Sequence, residues 1–192
     1  NTFFAPMGGQ GTAQLTVESD EADAGNPNVS VDVSIADCPD FYAILLQVNY
    51  DQNALTLKSI TRGPATSAAE GSFTANPITG RILFDGALDN GSGGFYMTAS
   101  DDVLFTLVFE VAETAGGDYE IEVDVEQFLD PYGQDLPMNV TNGVLYVTPA
   151  SGAHEATYDN KYYVTLEAAL AAVGSGTGTI TMLKDKTISD FD

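Results

Sequence analysis

Val29-Ser30-Val31-Asp32-Val33-Ser34-Ile35 decides the reading of the fold, because every second side chain is β-branched and apolar and those between are small or charged. Successive side chains of a strand point to opposite faces, so this alternation marks a strand with one face in a core and one in water. Working outward, shorter apolar runs repeat the signal. They are Gln14–Glu18, Tyr42–Tyr50 (YAILLQVNY), Leu55–Ile60, Ser72–Thr74, Arg81–Leu88, Val103–Val111, Tyr119–Phe128 and Gly143–Val147. Turn residues separate them: Asn26-Pro27, Cys38-Pro39, Asn76-Pro77, Asp89-Asn90-Gly91, Gly116-Gly117-Asp118 and Asp130-Pro131-Tyr132-Gly133. Nothing between Ala13 and Val147 keeps a helical period. The expectation is an all-β domain of nine strands folded as a two-sheet sandwich.

The 192 residues carry 6 basic and 28 acidic side chains, a net charge of -22. Such a surface repels phosphate backbones and anionic bilayers, which sets nucleic acid aside as a partner. No run reaches the roughly 18 to 20 apolar residues of a membrane helix, so membrane insertion is not expected. Asn1–Gly11 lacks the basic start and apolar run of a signal peptide, and the chain is read as soluble and as a mature or trimmed product.

The single cysteine, Cys38, and the single histidine, His154, rule out an intrachain disulfide and a thiolate or imidazole zinc cluster. Cys38, between two strand-like runs, reads as a small, partly buried apolar residue, since a reactive thiol needs a positive neighbourhood. His154 stands in a Gly/Ser/Ala-rich stretch and reads as a solvated linker residue.

Beyond Pro149 the composition changes. Ala150-Ser151-Gly152-Ala153 is a small-residue linker. Lys161–Val164 reads as a strand, Leu166–Val173 (LEAALAAV) as a helix with Thr165 as N-cap and Gly174 as C-cap, and Thr179–Leu183 as a strand. So short a segment is marginal alone and should pack on the sandwich or on further sequence. The expected organisation is an N-terminal extension over 1–12, a sandwich over 13–149, and a linker with the start of a following module over 150–192. Residues 1–150 hold 22 acids against Lys58, Arg62 and Arg81, net -19, whereas the tail is net -3. The acidity belongs to the sandwich.

Within it, Asp118–Asp130 (DYEIEVDVEQFLD) alternates Ile121, Val123 and Val125 with Glu120, Glu122, Asp124 and Glu126. Same-face residues lie roughly 6.6 to 7 Å apart, so the row concentrates negative potential without sharing protons. It reads either as an ordinary solvated face or as a stripe turned to a partner. A glycosidase carboxylate pair is a far weaker reading on one strand, and no nucleophile elbow, phosphate loop or dinucleotide fingerprint occurs; Gly91-Ser92-Gly93-Gly94 reads as a flexible loop. The chain is not read as an enzyme. Calcium is the one metal worth weighing, with Asp20, Glu21 and Asp23, Asp89 and Asn90, and Asp101 and Asp102 as loop candidates that lack EF-hand spacing.

Tyr42–Tyr50 is also unusual. With Ile44, Leu46, Val48 and Tyr50 inward, the other face carries Ala43, Leu45, Gln47 and Asn49, half of them apolar. Arg81–Ala87 likewise sets Ile82 and Phe84 inward and Arg81, Leu83, Asp85 and Ala87 outward. A modest apolar patch with a polar rim suits a protein-binding surface.

The order of these blocks resembles the cohesin family over about residues 13–148. The carriers are Val29–Ile35, Cys38-Pro39-Asp40 leading into Asn49-Tyr50-Asp51-x-x-x-Leu55, Gly80–Phe84, Asp102–Val111, Gly117-Asp118-Tyr119, Gly133–Pro137 and Asn142–Val147. The resemblance implies a nine-stranded jelly roll, related to carbohydrate-binding sandwiches, whose eighth, third, sixth and fifth strands form a flat sheet for a dockerin. It implies a noncatalytic module of a cellulosome scaffoldin or a related bacterial surface protein, secreted or on the cell surface, that recruits a dockerin-bearing protein such as a polysaccharide-degrading enzyme. It further implies that calcium belongs to the dockerin and that no cofactor is needed here. Many cohesins of the best-known type carry Asn and Asp where Ala43 and Leu45 stand, so recognition is expected to rest on apolar contact and flanking acids. The segment Tyr163–Leu170 followed by Gly178–Asp185 resembles repeats of large Gram-positive surface proteins.

The expected partner-binding set is Ala43, Leu45 and Leu83 at the centre, with Gln47, Asn49, Arg81, Asp85, Glu120, Glu122, Asp124 and Glu126 around it, in a monomeric chain. The rival expectations are a carbohydrate-binding module, for which Tyr42 and Tyr132 are the outward aromatic candidates in a chain without Trp, and a structural spacer or adhesin module.

Overall fold

A computed structural model of the chain describes residues 11–88, 95–150, 152 and 154–184. The elements are β1 (Ala13–Val17), β2 (Asp20–Asp23), β3 (Val29–Ala36), β4 (Ala43–Tyr50), β5 (Leu55–Arg62), β6 (Gly71–Asn76), β7 (Arg81–Leu88), β8 (Phe95–Tyr96), β9 (Asp102–Val111), β10 (Gly117–Leu129), β11 (Met138–Thr141), β12 (Gly143–Thr148), β13 (Ala156–Tyr158), β14 (Lys161–Tyr163), α1 (Leu166–Val173) and β15 (Thr181–Met182). All nine expected strands are present. Four short ones were not foreseen: β2 buries only Ala22 in Asp-Glu-Ala-Asp, β8 has two residues, β11 has no fully buried side chain to mark its period, and β13 has three residues with only Ala156 buried.

Two sheets face each other. One has the order β11-β1-β3-β9-β5, and the other runs β15-β13-β14-β10-β4-β7-β6, with β12 paired to β10 and β2. The alternation at Val29–Ile35 is realised as four buried side chains whose neighbours are half-buried or exposed. Between the sheets Phe84 on β7 meets Phe105 on β9 at 6.4 Å, and Tyr50 on β4 meets Phe109 at 5.1 Å edge to face. Such pairs add to the burial energy of rings that span the roughly 10 Å gap of a sandwich. The fold is the expected all-β sandwich, with a short helix outside it.

Gly80 closes the β6–β7 turn at φ 70°, and a Cβ there would lie 2.6 Å from the Val48 carbonyl oxygen, so both the conformation and the close approach call for glycine. That approach lets the Gly80 carbonyl accept the Val48 N–H at 2.9 Å and ties the turn to β4.

The C-terminal segment packs on the sandwich. Gly117 of β10 pairs with Lys161 of β14, the Gly116 carbonyl accepts the Tyr162 N–H at 2.9 Å, and Lys161 Nζ donates to Asp51 Oδ2 at 3.1 Å. Thr165 caps α1 as expected, its Oγ1 accepting the Ala168 N–H at 3.1 Å. His154 requires a correction: it is not a solvated linker residue but 4% exposed, with Nε2 2.9 Å from the Thr114 carbonyl oxygen and its ring edge-on to Tyr162 at 5.6 Å. The cause is long-range, since the β13–β14 hairpin folds back over Gly116–Gly117 and covers the ring. Cys38 is half-buried, as read, and burial followed by the nearby carboxylates of Asp40 and Asp101 pushes its thiol up to about 12.

Candidate protein-binding face

Strands β10, β4, β7 and β6 lie side by side, and their outward side chains form one continuous plane. Register places the expected residues together. Glu122 faces Asn49 and Asp124 faces Gln47 across β10 and β4, while Gln47 faces Arg81, Leu45 faces Leu83 and Ala43 faces Asp85 across β4 and β7. Directly opposed residues sit about 4.5 to 5.5 Å apart at Cβ, so the acidic row and the leucine pair are neighbours.

The burial pattern separates the two faces. Ile44, Leu46, Val48, Ile82 and Phe84 are buried beneath the plane, whereas Leu45, Gln47, Asn49, Leu83 and Asp85 are half-buried and Glu120, Glu122, Asp124 and Arg81 are exposed. Ala43 departs from its expected place at the apolar centre. It is only 6% exposed, because a methyl group lies below the side chains of its cross-strand neighbours Leu129 and Asp85. Leu45 and Leu83 are left as the apolar surface of the pair.

A β-bulge between Val125 and Gln127 breaks the strict alternation of β10. Glu126 is the extra residue, unpaired in the ladder, and Gln127 takes the position opposite Leu45. Glu126 instead meets Arg81, Nη2 to Oε2 at 2.5 Å, across the intervening β4. Other acids are engaged more lightly. Asp124 Oδ2 accepts from Asn49 Nδ2 at 2.7 Å and Glu120 Oε1 from Asn142 Nδ2 at 3.4 Å, while Glu122 has no partner among the described residues. Gln47 donates to the Thr79 and Val48 carbonyls at 2.7 and 3.0 Å, which fixes its amide against the β6–β7 turn.

Some of this surface was not foreseen. Ser72 and Thr74 extend it along β6 opposite Asp85 and Leu83, and Ile78 at the turn tip is 90% exposed. An isoleucine inside the turn signal Asn76-Pro77-Ile78-Thr79-Gly80 was the legible clue, as apolar residues seldom occupy turns without a use. Tyr132 is 86% exposed in the loop after β10, and Tyr42 is half-buried beside β4 with its N–H donated to the Leu129 carbonyl. The Asp89–Asn90 candidate, Gly91–Gly94 and most of the N-terminal extension lie outside the described residues. Among the described residues no three His, Cys, Asp or Glu side chains converge as a metal site, and no helix is long and apolar enough to cross a membrane.

The family model described as "Cohesin domain" matches residues 13–147. Solved structures with a similar fold include a type I cohesin–dockerin complex from Clostridium thermocellum, at 17% identity and TM-score 0.59 over 72% of this chain and 95% of that one. The seventh ScaB type I cohesin of Pseudobacteroides cellulosolvens aligns at 23% identity and TM-score 0.56 over 73% and 94%. A non-cellulosomal cohesin of the archaeon Archaeoglobus fulgidus aligns at 19% and 0.56 over 74% and 96%. No curated protein matches the chain.

Proposed function

The chain belongs to the cohesin family, and from that premise we propose that it is a noncatalytic docking module whose β10-β4-β7-β6 face receives a calcium-loaded dockerin. The observation that carries the reading is the cross-strand pair Leu45–Leu83, half-exposed at the middle of the plane and bordered by Gln47, Asn49, Arg81, Asp85, Glu120, Glu122, Asp124 and Glu126. Apolar side chains at the centre of a polar rim supply most of the binding energy once water is excluded, and charged rims steer encounter and select the partner. Ala43 contributes as a flat, close-approach position beside Leu45.

The charge pattern specifies the partner further. Glu126 is matched by Arg81, so the uncompensated charge is densest at the Glu120–Glu122 end, with Asp85 alone at the Ala43 end. The dockerin surface that fits is apolar in the middle and basic at one end. The module acts outside the cell, where it recruits a polysaccharide-degrading enzyme, and residues 150–192 begin a following module.

The test is surface plasmon resonance against a panel of recombinant calcium-loaded dockerins. Burial of one Leu contributes about 1.5 to 3 kcal/mol, and an aspartate in its place adds an unpaired charge, so Leu45→Asp should weaken binding by roughly 100-fold or more. Equal affinity of the folded variant and the parent chain moves the docking surface elsewhere, and no binding to any dockerin with or without EGTA overturns the reading.

A further inference from the structure

The outer surface of the second sheet continues past the docking strands into a groove. Tyr146 on β12 stands in register between Glu21 on β2 and Asp118 on β10, and these three side chains form one wall. The C-terminal segment forms the other, with Tyr158, Asp159 and Tyr162. The space between them is about 770 Å³, within the roughly 300 to 1,000 Å³ of small-molecule sites.

Two features distinguish the groove from an ordinary acidic surface. First, two of its three aromatic rings are held in place. A Cβ on Gly178 would lie 2.2 Å from Tyr158 Cε2, so bare backbone packs against that ring, and Tyr162 is gripped between Gly116 and the edge-on His154. Tyr146, by contrast, is 46% exposed on the sheet wall. Second, among the described residues Glu21, Asp118 and Asp159 accept no side-chain hydrogen bond and make no ion pair, and none of those that line the groove is Lys or Arg.

We infer that this groove binds a neutral oligosaccharide. A pyranose presents apolar C–H faces, which pack on fixed aromatic rings, and an equatorial belt of hydroxyl donors, which carboxylates with free oxygens accept in pairs. Uronic or sulfated sugars are excluded, because three carboxylates and the net charge of -22 repel them. A basic side chain would engage one carboxylate and one ring. Aromatic residues on both walls suit a ligand of several linked rings better. Fixed rings also spare the ligand the ordering cost of mobile side chains.

The groove adjoins the docking face at Asp118 and Glu120 but shares none of its named residues, so different variants test the two readings. Isothermal titration calorimetry of the full chain with cellohexaose, xylohexaose and mannohexaose should show binding to at least one, with Kd between about 10 µM and 1 mM. Tyr146→Ala should weaken it at least tenfold and the isosteric Asp118→Asn at least threefold, with Leu45→Asp unchanged and little dependence on salt. Asp118→Asn preserves side-chain shape and carries the test if Tyr146→Ala lowers the melting temperature. Absence of binding to all three sugars overturns the inference. So does sugar affinity indifferent to both groove variants, and so does binding of hexalysine alone, lost in Asp118→Asn and at high salt.

Discussion

Arg81 on β7 spans the width of β4 to reach Glu126 on β10, and the residue it reaches is the one the β-bulge leaves unpaired in the ladder. An exposed pair of this kind contributes about 0 to 1 kcal/mol to folding. Its larger effect is on the field of the face. One of four acids is neutralised beside the leucine pair, and the rest of the row keeps its charge toward Glu120. The face thereby has a direction, its acids gathered toward Glu120 and Glu122 and only Asp85 at the Ala43 end.

That direction can be read kinetically. With a dockerin bound by the parent chain, Glu122→Gln should lower the association rate about three- to tenfold at low salt and leave dissociation within about twofold, since rim charges act on encounter. Arg81→Ala frees Glu126 and should raise the association rate with the same partner. Surface plasmon resonance at two ionic strengths checks both signs, and a change confined to dissociation would count against rim steering.

Cys38 should be inert in the native protein. Its thiol is pushed up to about 12, chiefly by burial, so at pH 8 the thiolate population is roughly a thousandfold below that of a free cysteine with pKa near 8.5. Ellman's reagent should react slowly with the folded chain and at once in denaturant. Rapid modification without denaturant would contradict the packing around Asp37–Asp40.

The Asp51–Lys161 pair should make the C-terminal junction sensitive to acid. Burial raises the Asp51 carboxyl, but the Asn53 backbone N–H and the Lys161 ammonium outweigh it and hold the pKa below 3.8. A depressed carboxylate contributes stability that is present above its unfolded value and lost as pH falls through its folded value. The pair is about a third exposed on each side, so the contribution is at most about 1 kcal/mol. Hydrogen exchange of residues 156–163 should rise below pH 4 in the parent chain, and Asp51→Asn should show the faster exchange already at pH 6.

Gly117 should be intolerant of a side chain. Its φ is 107°, and a Cβ would lie 2.0 Å from the Asn160 carbonyl oxygen. Gly117→Val should therefore detach the β13–β14 hairpin at a cost of about 1 to 3 kcal/mol, with His154 exposed as a consequence. Limited proteolysis should cut between 150 and 165 in the variant, and the His154 ring proton resonances should shift toward those of a solvated imidazole. Equal protease resistance would mean that the hairpin is held by other contacts.

Much of the sandwich was legible because its signals are local. Period-two runs such as Val29–Ile35 specify a strand and its buried face without reference to any other residue, and Asn-Pro and Gly-rich turns place the ends. β2 and β11 escaped because edge strands with one or no fully buried side chain carry no such period. The candidate face was partly legible for the same reason, since Leu45 between Ile44 and Leu46 is apolar on both sides of a strand.

Other features were decided by tertiary structure. Alternation alone would continue Glu120, Glu122 and Asp124 into Glu126, whereas the bulge turns Gln127 to Leu45 and gives Glu126 to Arg81, 45 residues away. His154 reads as solvated in a run of small residues and is buried because a hairpin folds over Gly116–Gly117. The groove at Tyr146 exists only where β2, β12 and β10 meet the C-terminal segment. Within the period-two runs the sequence by itself determined which face of a strand meets water and which a core, because that depends on local period. Which of those water-facing side chains share a surface depends on register and strand order, which long-range packing alone sets.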